Sequence, residues 1–187
     1  MLLPIFYWFE RGLEGELGAQ PIVTLNRQTG YVLLTLILGN LWLGVFLRRK
    51  WLGPKWFRWL FAERRFLGVI AGLYVVLHFL CYLTREAFEK KAWLQIFEAF
   101  YLSMGFFAMI LILALALTSN DWSVRKMGFP RWKLLHRMIH VASFFILAHI
   151  FLIEKGNLPL MALMTFPLIP FQAYRLYGAL LRRHRKT

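Results

Sequence analysis

The sequence predicts an all-α, polytopic helical membrane bundle, with five transmembrane helices and a short N-terminal segment before them. Three observations predict it. Apolar residues make up 59% of the 187 residues and charged residues only 17%, both displaced from soluble averages in the same direction. The apolar residues lie in long runs broken by short charged clusters, with mean hydropathy +0.54. Lysine and arginine crowd into every second connection. The length suits one domain, residues 1–187. A soluble enzyme, a disordered chain and a disulfide scaffold are excluded. Cys81 is the single cysteine, so no internal disulfide can form, and it reads as an apolar filler of a helix.

Met1–Phe9 is apolar and aromatic but ends at Glu10, too short to span. It lacks a basic leader and a small-residue cleavage site, so it is not a signal peptide. It reads as the stub of a first helix or as an interfacial aromatic anchor. The spans follow at about 29–47, 66–83, 100–118, 134–153 and 158–177, each near the ~20 residues that cross a bilayer. Tyr31–Leu47 and Phe100–Thr118 contain no charge. The last run holds Pro159, Pro167 and Pro170, which predict kinks.

The net charge of +14 does not point to nucleic acid, because the cations sit at the ends of apolar runs, where they contact lipid head groups and set topology. The stretch 48–65 carries seven: Arg48, Arg49, Lys50, Lys55, Arg58, Arg64 and Arg65. Arg125, Lys126, Arg131 and Lys133 follow in 119–133, and Arg182, Arg183, Arg185 and Lys186 in the tail. The alternate connections, 10–28, 84–99 and 154–157, are poorer in cations and richer in glutamate. The positive-inside rule places 48–65, 119–133 and the C-terminus in the cytoplasm. The connections are short and hold no glycine-rich phosphate loop, so no known NAD(P)H motif is present.

Of five histidines, His184 lies in the basic tail and reads as a solvated residue. His78, His136, His140 and His149 lie in spans, where an ionisable side chain is costly and usually faces the interior with a partner. The spans of His78 and His149 run in parallel and place the two at similar depth in the outer half. That arrangement can hold one haem iron from both faces, imidazole being a normal axial ligand. His136 is 13 residues before His149, roughly 20 Å along a helix axis and about 140° around it. Both therefore point inward only if the helix twists or bulges. His136 and His140, at i and i+4, share a face in a regular helix, one as ligand and the other as neighbour. The competing reading of each is a hydrogen-bonded packing residue. Zinc is the weaker metal, since no Cys, Asp or Glu lies near His78 or His149 in sequence. Gly68 and Gly72 form a small-xxx-small pair, for helix contact or for room beside a flat macrocycle. Phe79, Tyr82, Phe144 and Phe145 are candidate haem-lining aromatics, or ordinary packing and lipid contacts.

Several strings resemble one family: Arg64-Arg65-Phe66-Leu67-Gly68, Leu77-His78-Phe79 with Tyr82, Ala116-Leu117-Thr118-Ser119, Trp132-Lys133-Leu134-Leu135-His136 and Ala148-His149. Leu17-Gly18-Ala19 with Pro21, and Thr29-Gly30, add to these. Together they resemble the MsrQ (YedZ) family of the ferric-reductase-like transmembrane group, over nearly the whole chain. The resemblance implies a six-helix bundle in the bacterial inner membrane that binds b-type haem, one or two per chain. It implies transfer of electrons from the cytoplasmic side, by a flavin reductase or the quinone pool, to a periplasmic molybdopterin enzyme, MsrP, that reduces methionine sulfoxide in proteins. FMN is also associated with the family. On this resemblance His78 and His149 hold the outer haem and His136 an inner one. The wider group has a second histidine about 13 residues before the one matched by His78, where this chain has Arg64 and Arg65. That basic pair is a candidate site for a haem propionate or flavin phosphate, or a plain positive-inside anchor. The family's first helix is nearly absent here.

The sequence thus predicts an electron-transferring haem subunit rather than the catalytic subunit of its system. Two readings compete with it. One is a stand-alone ferric or quinone reductase-type cytochrome b. The other is a non-redox membrane protein whose histidines are structural.

Overall fold

The computed structural model describes residues 20–48 and 54–153, with Phe166, Pro170, Ala173 and Tyr177 beyond them. The expectations for Met1–Phe9, for the fifth run as an element and for the tail with His184 lie outside these residues. Over residues 20–153 seven described helices follow one another: α1 (Pro21–Arg48), α2 (Pro54–Arg85), α3 (Lys90–Glu98), α4 (Phe100–Leu117), α5 (Asp121–Met127), α6 (Phe129–His136) and α7 (Ile139–Phe151). No strand occurs among the described residues. Among the described residues three segments are long and apolar enough to cross a membrane: Glu63–Arg85, Phe100–Leu117 and Phe129–Phe151.

The helices overrun the apolar runs. α1 starts at Pro21, not near 29, and α2 reaches back to Pro54 through the basic cluster. Proline suits a first helical turn, and Lys, Arg and Glu are good helix formers, so charge ends the apolar run without ending the helix. At 32 residues α2 is ~48 Å long, more than a hydrocarbon core of ~30 Å. The connection at 84–99 is also mostly ordered. α2 ends in a left-handed exit at Ala87 and Phe88 (φ 51° and 56°), and the Phe88 N–H donates back to the Leu83 carbonyl at 2.9 Å. The chain then turns into the short amphipathic α3, which buries Ala92 and Ile96.

The expected span 134–153 is divided. Arg137 and Met138 form a tight turn in which N–H groups reach carbonyls three residues back, at 3.1 and 2.8 Å. This break is a departure from regular helix between His136 and His149. His136 and His140 lie on either side of it, both half-buried.

Contacts fix the directions. Asn26 meets His78 at one end of α1 and Asn40 meets Arg64 at the other, so α1 and α2 are antiparallel. Arg65 pairs with Asp121, just past α4, so α2 and α4 are antiparallel too. Tyr101 near the start of α4 meets His149 near the end of α7. α2 and α7 therefore run parallel, as the topology predicted. The shared core draws Leu34 and Ile37 from α1, Tyr74 from α2, Ile112 from α4 and Ala142 and Ile146 from α7. A smaller cluster of Tyr82, Leu83, Ala92 and Ile96 seats α3, and the Tyr82 hydroxyl donates to the Ala92 carbonyl at 2.9 Å. On the far side of α2, Phe66, Val69, Leu73, Val76 and Leu80 form an exposed stripe. Such a continuous apolar face is a lipid contact rather than a water-facing surface.

Gly72 sets the approach of α2 to α4: a Cβ there would lie 2.4 Å from the Ala116 Cβ. Its role is helix contact, not room for a macrocycle. Gly72→Ala is expected to cost about 1–3 kcal/mol by overpacking, read as a lower unfolding midpoint in detergent. Adding Ala116→Gly restores most of it. Gly39→Ala, with nothing within 4 Å of the new methyl, should not destabilise.

Candidate functional site

A cavity of about 680 Å³ lies among α1, α2, α4 and α7 at the end that carries α3. Its wall is largely apolar, and two imidazoles, His78 from α2 and His149 from α7, line it. Their ring centres are 6.5 Å apart and their planes 85° to one another.

Each ring is tethered through Nδ1. That atom of His78 lies 2.9 Å from the Asn26 carbonyl oxygen and 3.3 Å from Thr29 Oγ1. In His149 it lies 2.7 Å from the Tyr101 carbonyl oxygen. A carbonyl oxygen only accepts, so each Nδ1 carries its proton and donates. Nε2 is left with its lone pair, the state a metal ligand needs, and the backbone bond fixes the ring's orientation. The Thr29 hydroxyl is oriented in turn by the Leu25 and Asn26 carbonyls, at 2.8 and 2.9 Å.

Two glycines make this possible. A Cβ at Gly30 would come within 3.1 Å of the His78 ring, and one at Gly105 within 2.8 Å of His149 Nδ1. Each histidine therefore lies flat against a bare stretch of a neighbouring helix. Thr29-Gly30 entered the sequence analysis only through the family strings; Asn26, Tyr101 and Gly105 were missed. A glycine inside an apolar helix, at the depth of an intramembrane histidine on another helix, is the signal that could have found Gly105. The two carbonyl tethers carry no such mark, because every residue has a carbonyl.

The donor set decides what could sit between the rings. Among the described residues no group of three His, Cys, Asp or Glu side chains converges as a metal site. Two imidazoles are half of a tetrahedral zinc site. They are the whole protein contribution to a metal whose other four ligands lie in the plane of a macrocycle, with imidazoles above and below. Metal–nitrogen bonds of ~2.0 Å, with ~1.1 Å more to each ring centre, place such centres ~6.2 Å apart. The observed 6.5 Å fits. Of the candidate aromatics, Phe79 and Tyr82 line the cavity. Phe144 is exposed, and Phe145 packs on Phe107 at 5.7 Å.

The remaining candidates gather at the opposite end. His136 stacks on Trp132 with ring centres 4.0 Å apart, and its Nε2 is 3.2 Å from Thr118 Oγ1. The Thr118 hydroxyl donates to the Ala114 carbonyl at 2.7 Å, so its oxygen accepts from His136 Nε2–H. Trp132 Nε1 donates to the Thr118 carbonyl at 2.8 Å. His140 is half-buried at the start of α7. The two arginines hold helices together. Arg64 Nε donates to Asn40 Oδ1 at 3.0 Å, and Asn40 Nδ2 donates to the Arg64 carbonyl, also at 3.0 Å. Arg65 pairs with Asp121 and lies 5.4 Å over the Trp132 ring.

The family model "Ferric reductase like transmembrane component" matches residues 28–149. A protein-methionine-sulfoxide reductase heme-binding subunit MsrQ from Deinococcus radiodurans is 40% identical over 143 residues, 76% of this chain and 68% of that protein. The MsrQ of Rhodospirillum rubrum is 33% identical over 161 residues, 84% of this chain and 74% of its own. That of Bordetella parapertussis is 33% identical over 158 residues, 83% and 74% respectively. No solved structure matches.

The Arg65–Asp121 contact gives a pH test. The Arg65 guanidinium, donating to Asp121 and adding its charge, holds that carboxyl below the usual carboxylate range, against a small opposing effect of desolvation. A depressed folded-state pKa contributes stability above the unfolded value that is lost as pH falls through the folded one. Asp121→Asn should therefore unfold more easily than the parent chain near neutral pH. The gap should begin to narrow near pH 4 and close only as pH falls through the lower folded-state value, as followed by thermal unfolding in detergent.

Proposed function

The chain belongs to the ferric-reductase-like transmembrane family, and from that premise we propose that it is a haem b electron-transfer subunit of a methionine sulfoxide reductase system. It would sit in the bacterial inner membrane with its C-terminus in the cytoplasm. It would take electrons from the cytoplasmic side, a flavin reductase or the quinone pool, and pass them to a periplasmic molybdopterin partner of the MsrP kind. The observation that carries the reading is the pair of tethered imidazoles, His78 and His149, in one apolar cavity on parallel helices. The names of the relatives add the haem and the reductase system.

Haem supplies a one-electron iron couple when bound. This chain's own residues do the rest. His78 and His149 would offer Nε2 from opposite sides. Asn26 and Tyr101 hold the Nδ1 protons, which keeps both rings neutral and oriented and raises their basicity as ligands. The largely apolar wall sets the polarity around the group. No acid or base chemistry is asked of the site.

The opposite end, with His136, Trp132, Arg64 and Arg65, is the place for a second haem or FMN if either binds. The present ties of these residues to Thr118, Asn40 and Asp121 favour a single haem near His78 and His149. The family match keeps a stand-alone ferric or quinone reductase as the second reading; the MsrQ relatives favour the first.

Protein purified in mild detergent, after expression with haem supplied, should show the reduced spectrum of a six-coordinate b-type cytochrome with about one haem per chain. His78→Ala and His149→Ala should each abolish that spectrum. A colourless, folded preparation, or spectra unchanged by both substitutions, would overturn the assignment. A ratio near two would require the His136 end. Gly105→Val, which drives a side chain into the His149 ring, should lower haem content severalfold while His149 itself is retained, measured by pyridine haemochrome.

A further inference from the structure

The cavity is not apolar throughout. Arg27 and Arg85 also line it. They come from different helices but lie toward the same end. Arg27 directly follows Asn26, whose carbonyl accepts from His78. Arg85 stands seven residues after His78 on the antiparallel α2, ~10 Å further along the axis. The far wall, at Ile37, Ile112 and Ile146, is apolar. The space thus has a greasy floor, two imidazoles across it and two guanidiniums toward one end.

Among the described residues the two cations differ in how they are held. Arg27 is exposed and makes no ion pair among the described residues. Arg85 donates to Glu86 Oε1 from Nε at 2.8 Å and from a terminal nitrogen at 2.7 Å, and lies 5.5 Å from the Tyr82 ring centre. Arg85 is exposed and Glu86 half-buried, so this contact between chain neighbours holds Arg85 more firmly than a fully exposed pair would. Because Glu86 competes for Arg85, Arg27 is the stronger arm. A guanidinium presents forked donors that match a carboxylate, and such charge-assisted bonds strengthen where water is partly excluded. The complement of this space is a flat, mostly apolar molecule with anionic groups along one edge.

We propose that Arg27 and Arg85 form a carboxylate clamp at the mouth of the cavity, taking the two propionates of the tetrapyrrole seated between His78 and His149. This rests on the haem reading. It adds which edge of the ring faces the mouth and which residues retain it. The basic pair that the sequence offers for a propionate, Arg64 and Arg65, lies at the other end of the bundle.

The test is the rate at which detergent-purified holoprotein loses haem to excess apomyoglobin, for haem b and for its dimethyl ester, in the parent chain and in R27Q, R85Q and R27Q/R85Q. R27Q should speed loss of haem b about tenfold, the worth of one charge-assisted contact, and R85Q less. Esterification should speed loss from the parent chain to the rate of R27Q/R85Q and leave the double variant unmoved. The six-coordinate spectrum should be the same throughout, and R27K should retain haem longer than R27Q. Equal rates for haem b and its ester on the parent chain overturn the clamp, whether or not the variants fold. So does an ester effect of the same size in R27Q/R85Q. Both results leave the haem reading standing. A parent chain that takes up no haem overturns the haem reading and the clamp with it.

Discussion

Two hydrogen bonds from imidazole Nδ1 atoms to backbone carbonyls are the contacts on which the rest of this architecture depends. Within an apolar bundle a histidine must have its proton placed and its ring held, or its burial is costly. The carbonyls of Asn26 and Tyr101 meet that need. They also dictate how closely the helices approach. The ring of His78 lies on α1 where Gly30 leaves no side chain, and that of His149 lies on α4 at Gly105. Helix spacing, glycine placement and the tautomer of each histidine are one arrangement seen from three sides.

The two ends of the bundle are built differently. Around His78 and His149 the polar groups serve the rings and the space between them stays open. Around His136 they serve each other: Thr118 links His136 and Trp132, Asn40 locks Arg64, and Arg65 bridges α2 to Asp121. One end is preorganised to receive a ligand through free lone pairs; the other is a set of mutually satisfied contacts that joins α1, α2, α4 and α6. At that end these contacts, rather than a second pair of facing histidines, hold the helices in register.

Much of the helical organisation was legible because a bilayer imposes simple rules. Apolar runs of about the right length, with cations in alternate connections, led to the spans and to the parallel course of the helices bearing His78 and His149. The helix ends were less legible. Arg58, Arg64 and Lys55 interrupt hydropathy without interrupting α2, since charged residues are good helix formers once the chain leaves the hydrocarbon. The break at Arg137–Met138 was foreseen only as a requirement, through the rotation between His136 and His149; its position carries no proline or glycine to announce it.

The sequence by itself determined the class of the protein, the residues that could ligate a metal and the matched depth of His78 and His149, because these follow from hydropathy, charge and the fixed rise of a helix. Only the tertiary structure decided which nitrogen of each histidine is free, that Gly72 serves a helix contact while Gly30 and Gly105 serve the rings, and that Arg64 and Arg65 are engaged with neighbours while Arg27 and Arg85 look into the cavity. The reason is rotation about the helix axis. Depth in a membrane is a one-dimensional quantity that sequence spacing encodes, whereas the azimuth of a side chain depends on how several uniformly apolar helices settle against one another, and a helix apolar on every side does not declare which face it will bury.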